Sequence, residues 1–130
     1  MANSFSIVSQ LKQTNANGQT IYQSLPNSFS ANQANANGPS PGMITATTGG
    51  VNVSLAQLTV PALCRIMNTD PTNYVTIGTY VGSTFTPFLE LQPGESFVLR
   101  LSRSILSGSA NLRAVGNAAS VNVLVECFDQ

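Results

Sequence analysis

The fold is decided by residues 64–102, whose sequence is CRIMNTDPTNYVTIGTYVGSTFTPFLELQPGESFVLRLS. Apolar residues alternate with polar ones in four short runs, as in β-strands with one buried face. The runs are separated by turn-forming segments at 68–73, 82–84 and 92–95. Pro93 followed by Gly94 predicts a type II turn, because Pro presets the first central φ and Gly accepts a positive φ at the second. The stretch therefore predicts short antiparallel strands, as in a β-sandwich or small barrel.

The period of two predicts which side chains of these strands face the core. The predicted inward sets are Cys64 with Ile66; Val75, Ile77 and Val81; Phe85, Leu89 and Leu91; and Phe97, Leu99 and Leu101. Arg65, Glu90 and Arg100 fall on the opposite faces, so a slip of one residue would bury charges, and the register is well specified. Pro87 lacks an N–H for a sheet ladder and is therefore expected at an edge or a bulge.

The same stretch resembles small β-sandwich structural proteins of tailed-phage virions. The similarity covers about a third of the chain. It consists of a strand ending in Asn, then D-x-x-N-Y-V-x-I-G, then F-x-P-F-L-x-L-x-P-G-E and a strand ending in L-R-L. The matching residues are Asn68, Asp70, Asn73, Tyr74, Val75, Ile77, Gly78, Phe85, Pro87, Phe88, Leu89, Leu91, Pro93, Gly94, Glu95, Leu99, Arg100 and Leu101.

The resemblance implies a function in virion assembly. The expected role is a capsid decoration or cement protein, which would form a homotrimer and bind the major capsid protein on the outside of the shell. Proteins of this appearance also serve as head fibres and as neck or tail components, so these roles stay open. A receptor- or glycan-binding β-sandwich module is the alternative from a different class.

Strand patterns along the rest of the chain complete an all-β prediction. We expect a single antiparallel β-sandwich of jelly-roll type, with residues 1–30 as an N-terminal arm or hairpin, 31–42 as a loop and 43–130 as the core. Asn17-Gly18 predicts a type I′ hairpin turn. In the last strand, 120–128, one face carries Val121, Val123, Val125 and Cys127. Leu124 and Phe128 lie on its other face, which predicts a central strand or one covered by a neighbouring subunit.

Composition argues against several classes of function. Only 8% of the 130 residues are charged, against about 25% in a typical soluble domain, and the net charge is zero. Five basic residues balanced by five acidic ones offer no phosphate-tracking surface, so we expect no nucleic-acid partner. No apolar run approaches the ~20 residues of a membrane span, and residues 1–13 lack the pattern of a signal peptide. We therefore expect no membrane partner, with synthesis in the host cytoplasm.

The two cysteines, Cys64 and Cys127, are both predicted to face the core. Their spacing suits an inter-sheet disulfide of immunoglobulin type, but the chain has no Trp to pack against such a bond. The favoured interpretation is a pair of buried, reduced thiols, as expected for a protein made in the cytosol.

Catalytic chemistry finds few candidate residues. The chain has no His, and two separated Cys cannot form a four-ligand zinc site alone. Glu90 with Glu95 is formally a carboxylate pair, but both fit ordinary strand and turn positions. Asp70 and Asp129 could join backbone carbonyls around Ca²⁺, although no dense acidic loop is present. We expect no enzymatic activity, no catalytic residues, no metal site and no cofactor.

Six side chains are the candidate interface residues. Arg100, Arg103 and Arg113 would form a patch that docks on an acidic partner surface, because Arg pairs bidentately with carboxylates. The alternative is local pairing with Glu90, Glu95 or Glu126. Tyr74, Tyr80 and Phe88 fall on outward or edge positions, where aromatic side chains favour an interface core. A carbohydrate platform is the sharper alternative for these three.

Overall fold

A computed structural model of the protein describes residues 3–33, 35–102 and 109–129. This part of the chain holds twelve β-strands and no helix. It divides into two compact units, residues 1–34 and 35–130, called here the N-terminal hairpin and the C-terminal unit. The strands are β1 Asn3–Ser9, β2 Lys12–Thr14, β3 Thr20–Gln23, β4 Asn27–Gln33, β5 Ser40–Ala46, β6 Val51–Asn52, β7 Pro61–Asn68, β8 Val75–Val81, β9 Thr84–Leu91, β10 Ser96–Arg100, β11 Asn111–Gly116 and β12 Val121–Asp129.

The C-terminal unit consists of two four-stranded sheets. Their strand orders are β10-β7-β12-β5 and β6-β11-β8-β9, and every neighbouring pair is antiparallel. Both sheets contribute to one hydrophobic cluster. Its fully buried members include Ile66 and Val125 from the first sheet, and Ile77 and Leu112 from the second. The prediction of an all-β, antiparallel fold is therefore confirmed.

The last strand confirms the alternation read from its sequence. Its inward side chains, Val121, Val123, Val125 and Cys127, are all fully buried. β12 lies between β7 and β5, which confirms that it is central. Leu124 and Phe128 on the second face are half-buried.

Two turns of the deciding stretch have the geometry that their residues require. The Glu95 N–H donates to the Gln92 carbonyl at 3.0 Å, and Gly94 has φ +80°, as a type II turn demands. Between β8 and β9, Gly82 and Ser83 both have positive φ, at +53° and +69°. Two left-handed residues in a two-residue loop are characteristic of a type I′ hairpin turn.

Pro87 lies both at an edge and at a bulge, since β9 is the outer strand of its sheet and its register shifts there. Ile77 faces Leu89 while Gly78 faces Pro87, so Phe88 is the extra residue. An inserted residue reverses the face of every side chain before it. Phe85 accordingly pairs with Tyr80 instead of sharing the inward face of Leu89, and its predicted inward position is wrong.

Two further apolar residues predicted to face the core are exposed. Phe97 is 53% exposed and Val81 is 48% exposed. Each lies near the end of its strand, where few neighbours remain to cover it.

The predicted loop at 31–42 is too long at both ends. β4 continues to Gln33 and β5 begins at Ser40, so only the segment between them connects the two units. The absence of large apolar side chains in 31–33 hid the strand from sequence reading, because its pairing with β1 supplies the order that its own pattern lacks.

The cysteine prediction is wrong in its favoured form. Cys64 and Cys127 form a disulfide with their Cα atoms 4.0 Å apart. The bond joins directly opposed residues of β7 and β12, which are neighbours in one sheet, so the inter-sheet alternative is wrong as well. Both cysteines are buried, as predicted.

Candidate interaction surfaces

The described residues hold no grouping of acidic or cysteine side chains that could bind a metal ion. The two carboxylates considered as a pair serve the turn between them instead. Glu95 accepts the Gln92 backbone N–H at 2.8 Å, and Glu90 accepts the Gln92 side-chain amide at 2.6 Å. These contacts give both glutamates a local structural role.

The two aspartates considered for Ca²⁺ are occupied by hydrogen-bond donors. Asp70 accepts the N–H groups of Thr72 and Asn73 at 2.9 and 2.7 Å, closing the turn before β8. These two backbone hydrogen bonds stabilise the ionised carboxylate, so they lower the pKa of Asp70 below its ordinary value.

Asp129 is 1% exposed and ties together three parts of the C-terminal unit. Its carboxylate accepts the N–H groups of Thr59 and Val60 at 3.0 and 2.8 Å and the Asn37 side-chain amide at 2.8 Å. Burial alone raises the pKa of this carboxyl, but the bonds from Thr59, Asn37 and Val60 outweigh it, and the net pKa is lowered. The ionised Asp129 carboxylate therefore contributes to the stability of the C-terminal unit.

Asn68, the first residue of the resemblance pattern, is the buried polar centre of this unit. Its side-chain amide donates to the carbonyls of Asn73 and Leu91 at 2.8 and 3.0 Å, while its oxygen accepts the Asp70 N–H at 3.0 Å. Only a neutral amide offers two donors and an acceptor in this arrangement. Asn68 therefore has a structural role, because its side chain joins the turn before β8 to the end of β9.

The structure does not bring the candidate arginines together. Arg100 lies on β10 and Arg113 on β11, in different sheets, and Arg103 lies outside the described residues. Arg113 donates to Asn52 at 2.8 Å and to the Gly49 carbonyl at 2.6 Å, and its guanidinium stacks 4.0 Å above the Tyr80 ring. These hydrogen bonds stabilise the loop before β6.

A salt bridge between an arginine and an acidic residue is found at Arg65, which is not one of the candidate interface residues. Arg65 pairs with Glu126 across β7 and β12 at 2.8 Å, on the outward face of their sheet. The predicted local pairing is therefore found for Glu126, but with an arginine that was not among the candidates.

The three candidate aromatic side chains do not converge on one site. Tyr74 precedes β8 while Tyr80 is near its far end, and six residues of extended strand span roughly 20 Å. Phe88 is 47% exposed on the bulge of β9. One face of the Tyr80 ring is already covered by Arg113. A sugar platform shared by all three rings has no support in this arrangement.

Two shallow depressions also lack the groups that chemistry would require. One, of about 430 Å³, is lined by Asn52, Val53, Ser54, Leu55, Ala56, Pro61, Ala110, Asn111 and Leu112, none of which is ionisable. The other lies beside the β9 bulge and is lined by Thr76, Pro87, Phe88, Leu89 and Glu90. The one carboxylate there, that of Glu90, belongs to no described group of His, Cys, Asp and Glu side chains that could bind a metal ion.

The N-terminal hairpin is the surface with the most unusual composition. β1 pairs antiparallel with β4, and β2 with β3, around a loop at Asn15–Gln19. The Asn15 side chain accepts the N–H groups of Asn17 and Gln19 at 3.0 and 2.9 Å. Of the described non-glycine residues only Ser83 has a positive φ, so Asn17 cannot belong to the predicted type I′ turn; Gly18 alone supplies the left-handed residue.

The β1–β4 register gives this ribbon two different faces. Phe5 lies opposite Ala31, and Ile7 lies opposite Phe29, so these four side chains share one face. The other face consists of serine and asparagine, with Val8 as its exception: Ser4 lies opposite Asn32, Ser6 opposite Ser30 and Val8 opposite Ser28.

Large apolar side chains of the hairpin are exposed over much of its length. The exposed fractions are Val8 65%, Leu11 68%, Ile21 63%, Tyr22 52%, Leu25 90% and Phe29 46%. The only charged residue in 3–33 is Lys12. Exposed large apolar side chains are a feature of protein-association surfaces when they form a patch.

The edges of the two units differ in how they are protected against pairing with another chain. In the C-terminal unit, β9 has a proline and a bulge, β5 has Pro41 and Gly42, β6 has two residues, and β10 ends at Arg100. These are the devices by which sheets block edge-to-edge association. β1 and β4 are seven residues each, with no proline, charge or bulge in their ladder. The hairpin thus has two open edges.

Sequence reasoning found the hairpin but missed its outer strand. The sequence signal for this strand is that the spacing of Phe5 and Ile7 before the loop is repeated by Phe29 and Ala31 after it. Each strand alone has too few apolar residues to be recognised, and only the pairing shows that both sets share a face.

Neither the family models, nor the curated proteins, nor the solved structures to which this chain was compared contain a match. A helix long and apolar enough to cross a membrane is absent from the described residues.

Proposed function

We propose that this protein is a non-enzymatic structural component of a tailed-phage virion, most specifically a capsid decoration or cement protein. The observation that carries the proposal is the N-terminal hairpin, whose described residues include a single charge, Lys12, together with open strand edges and exposed apolar side chains. A protein whose function is assembly needs such a surface, whereas an enzyme needs converging ionisable groups. The resemblance of residues 68–101 to virion proteins supports the choice of assembly.

The strand order supports a jelly-roll sandwich as the scaffold. Numbering the strands of the C-terminal unit from one to eight, the sheet orders become 1-8-3-6 and 2-7-4-5. Two Greek keys wound into a pair of sheets, as in a jelly roll, would give this strand order, which supports the proposal of that topology. Capsid proteins commonly use this architecture, so the fold agrees with the proposed role without requiring it.

The mechanism we propose is passive. A strand added to the open edge of the hairpin would satisfy its backbone groups without any need for charges. Copies of the protein would lie on the outside of the shell, contact adjacent major capsid proteins and bury additional surface at their joints. Linked copies would gain from effective concentration, so weak individual contacts could hold the shell together.

The first test is the copy number in purified particles of the phage that encodes the protein. Quantitative mass spectrometry would compare this chain with the major shell protein. A ratio near one to one supports decoration of the whole shell, and a handful of copies per particle supports a head fibre, neck or tail role instead. Absence from particles overturns the virion proposal, and binding to glycans and host surfaces would then be measured.

Deleting the hairpin tests its role in attachment. A variant lacking residues 1–34 removes one compact unit and leaves every strand of the other. We expect this variant to keep the thermal unfolding transition of the C-terminal unit and to lose binding to shells. Continued binding of the shortened protein would assign attachment to the C-terminal unit.

A further inference from the structure

We propose that Asn17 is a site of spontaneous deamidation, and that the same reaction at Asn37 is blocked by the contacts of that residue with Asp129. Both asparagines precede a glycine, and the sequence contains no other Asn-Gly pair. The inference goes beyond the proposed function, because it concerns covalent change of the chain with time and holds whether or not the protein attaches to a particle.

Deamidation of an asparagine needs only the chain itself and water. The backbone nitrogen of the following residue loses its proton and attacks the side-chain Cγ, and the amide nitrogen leaves as ammonia. The product is a five-membered succinimide ring, which one water molecule opens at either carbonyl to give aspartate or isoaspartate. A glycine favours the reaction at the following position, because it has no Cβ to hinder the approach of its nitrogen.

The two sites have the same local sequence. Asn-Ala-Asn-Gly occurs at 15–18 and again at 35–38. The intrinsic reactivity of the second asparagine in each tetrapeptide should therefore be similar. Any large difference between Asn17 and Asn37 in the folded protein must then come from their tertiary contacts.

Asn17 lies in the exposed loop between β2 and β3, and so does Gly18. Within the described residues, hydrogen bonding of Asn17 is confined to its backbone, whose N–H donates to the Asn15 side chain at 3.0 Å. The Gly18 N–H donates to the Asn15 carbonyl at 3.0 Å, and this bond must open before the nitrogen can attack. Opening costs little free energy in an exposed loop, so the Asn17 side chain can reach the Gly18 nitrogen.

Asn37 is held at both its side chain and its backbone by one residue. Its side-chain amide donates to the Asp129 carboxylate at 2.8 Å, and its carbonyl accepts the Asp129 N–H at 3.2 Å. Because the peptide unit is planar, fixing this carbonyl also fixes the Gly38 nitrogen. Ring closure would require the side chain to release a carboxylate that is 1% exposed, which breaks a hydrogen bond to a charged group.

Close packing around Gly38 adds a second obstacle. A Cβ on Gly38 would lie 2.7 Å from the Cys127 carbonyl oxygen and 3.0 Å from the Cα atom of Phe128, both in the central strand β12. The Gly38 nitrogen therefore has little room to move toward the Asn37 side chain. No described atom lies within 4 Å of the corresponding position on Gly18.

The reaction has different consequences at the two sites. At Asn17, either product adds one negative charge to a hairpin in which residues 3–33 contain Lys12 as the only charge, and isoaspartate also lengthens the backbone of the loop by one atom. At Asn37, the same products would place a second carboxylate beside the buried Asp129, where like charges repel. The contacts of Asn37 thus protect the site at which the change would be more harmful.

Peptide mapping by mass spectrometry tests the inference on the full-length protein, incubated at mildly alkaline pH to favour loss of the proton from the attacking nitrogen. Chymotrypsin separates the two sites, since Tyr22, Leu25 and Phe29 lie between them. In the native protein Asn17 should react at least about tenfold faster than Asn37, the factor that corresponds to one hydrogen bond to a charged group. In concentrated urea the two asparagines should react at similar rates.

Two variants assign the effect to the residues named. Asn17→Gln should remove the fast reaction, because glutamine would have to form a six-membered ring. Asp129→Asn should raise the rate at Asn37 toward that of Asn17 and leave the rate at Asn17 unchanged. A thermal melt shows whether this second variant is folded, and if it is not, the comparison of native with urea-unfolded wild type decides.

Three results would overturn the inference. The first is equal rates at the two sites in the native protein, and the second is an unmodified Asn17 after a time in which the unfolded chain has reacted. The third is a difference that persists in urea, since this would assign the preference to the residues after each glycine, Gln19 and Pro39, instead of to Asp129.

Discussion

The two units of this chain both consist of antiparallel β-strands, but they differ in how their apolar side chains are buried and how their strand edges are protected. The C-terminal unit buries a continuous cluster between its sheets, and its edges carry proline, glycine, a bulge or charge. In the hairpin, Ile7 is half-buried and Phe29 is 46% exposed, and the β1 and β4 edges carry none of these devices. Blocked edges protect a sheet from pairing with other chains, and we expect the hairpin, whose edges are not blocked, to associate with a partner. The predictions below test this contrast, beginning with the largest effect.

Reducing the disulfide should cause the largest loss of stability. It closes a loop of 63 residues that spans most of the C-terminal unit, and the entropy of opening such a loop in the unfolded chain corresponds to about 4 kcal/mol. Urea unfolding followed with and without reductant measures this change. Thiol labelling of the denatured, unreduced protein is the control: labelling of both cysteines would show that the bond is absent.

A leucine-to-alanine substitution should destabilise the protein far more in the C-terminal unit than in the hairpin. Leu112 is fully buried and Leu25 is 90% exposed. Leu112→Ala should lower the free energy of unfolding by about 3 kcal/mol because it leaves a cavity, while Leu25→Ala should change it by less than about 0.5 kcal/mol. Calorimetry of both variants makes the comparison. A large effect at Leu25 would mean that the hairpin contributes to the cooperative unfolding of the whole chain.

Asn68→Asp should cost about 2 kcal/mol, because a carboxylate would face two carbonyl oxygens that now accept hydrogen bonds from the amide. The control is Asn122→Asp, which adds the same charge at an exposed position of the same sheet. Chemical denaturation at pH 7 compares the two variants. Equal effects would show that the buried junction at Asn68 is tolerant of charge.

The smallest effect is a dependence on pH. The pKa of Asp129 is lowered in the folded protein, so its ionised form contributes stability above the ordinary carboxyl pKa near 4. That contribution should disappear as the pH falls through the lowered folded-state pKa. Asp129→Asn should therefore unfold more easily than wild type at pH 7, and the difference should shrink on acidification, as measured by thermal melts from pH 7 to pH 2. A difference that stays constant with pH would assign the effect to shape instead of charge.

Much of the C-terminal unit could be predicted because its signals are local. Alternation in Val121–Cys127 and the Pro93-Gly94 pair each require only neighbouring residues, and both predictions are confirmed. The inward position of Phe85 failed because a bulge three residues later changes the face, and a bulge is decided by the partner strand. The candidate site was less predictable still: Arg113 looks like a free outward charge until the loop before β6 is folded back onto it.

The sequence by itself determined the all-β class, the turn at Pro93-Gly94 and the burial of both cysteines, because each depends on composition or on residues close in the chain. Only the tertiary structure decided that Cys64 meets Cys127 within one sheet, that Arg100 and Arg113 lie on separate sheets, and that Phe5, Ile7, Phe29 and Ala31 share a face. These facts depend on register between segments up to 63 residues apart. A register is set by the free energy of the paired strands together, so neither strand contains it alone.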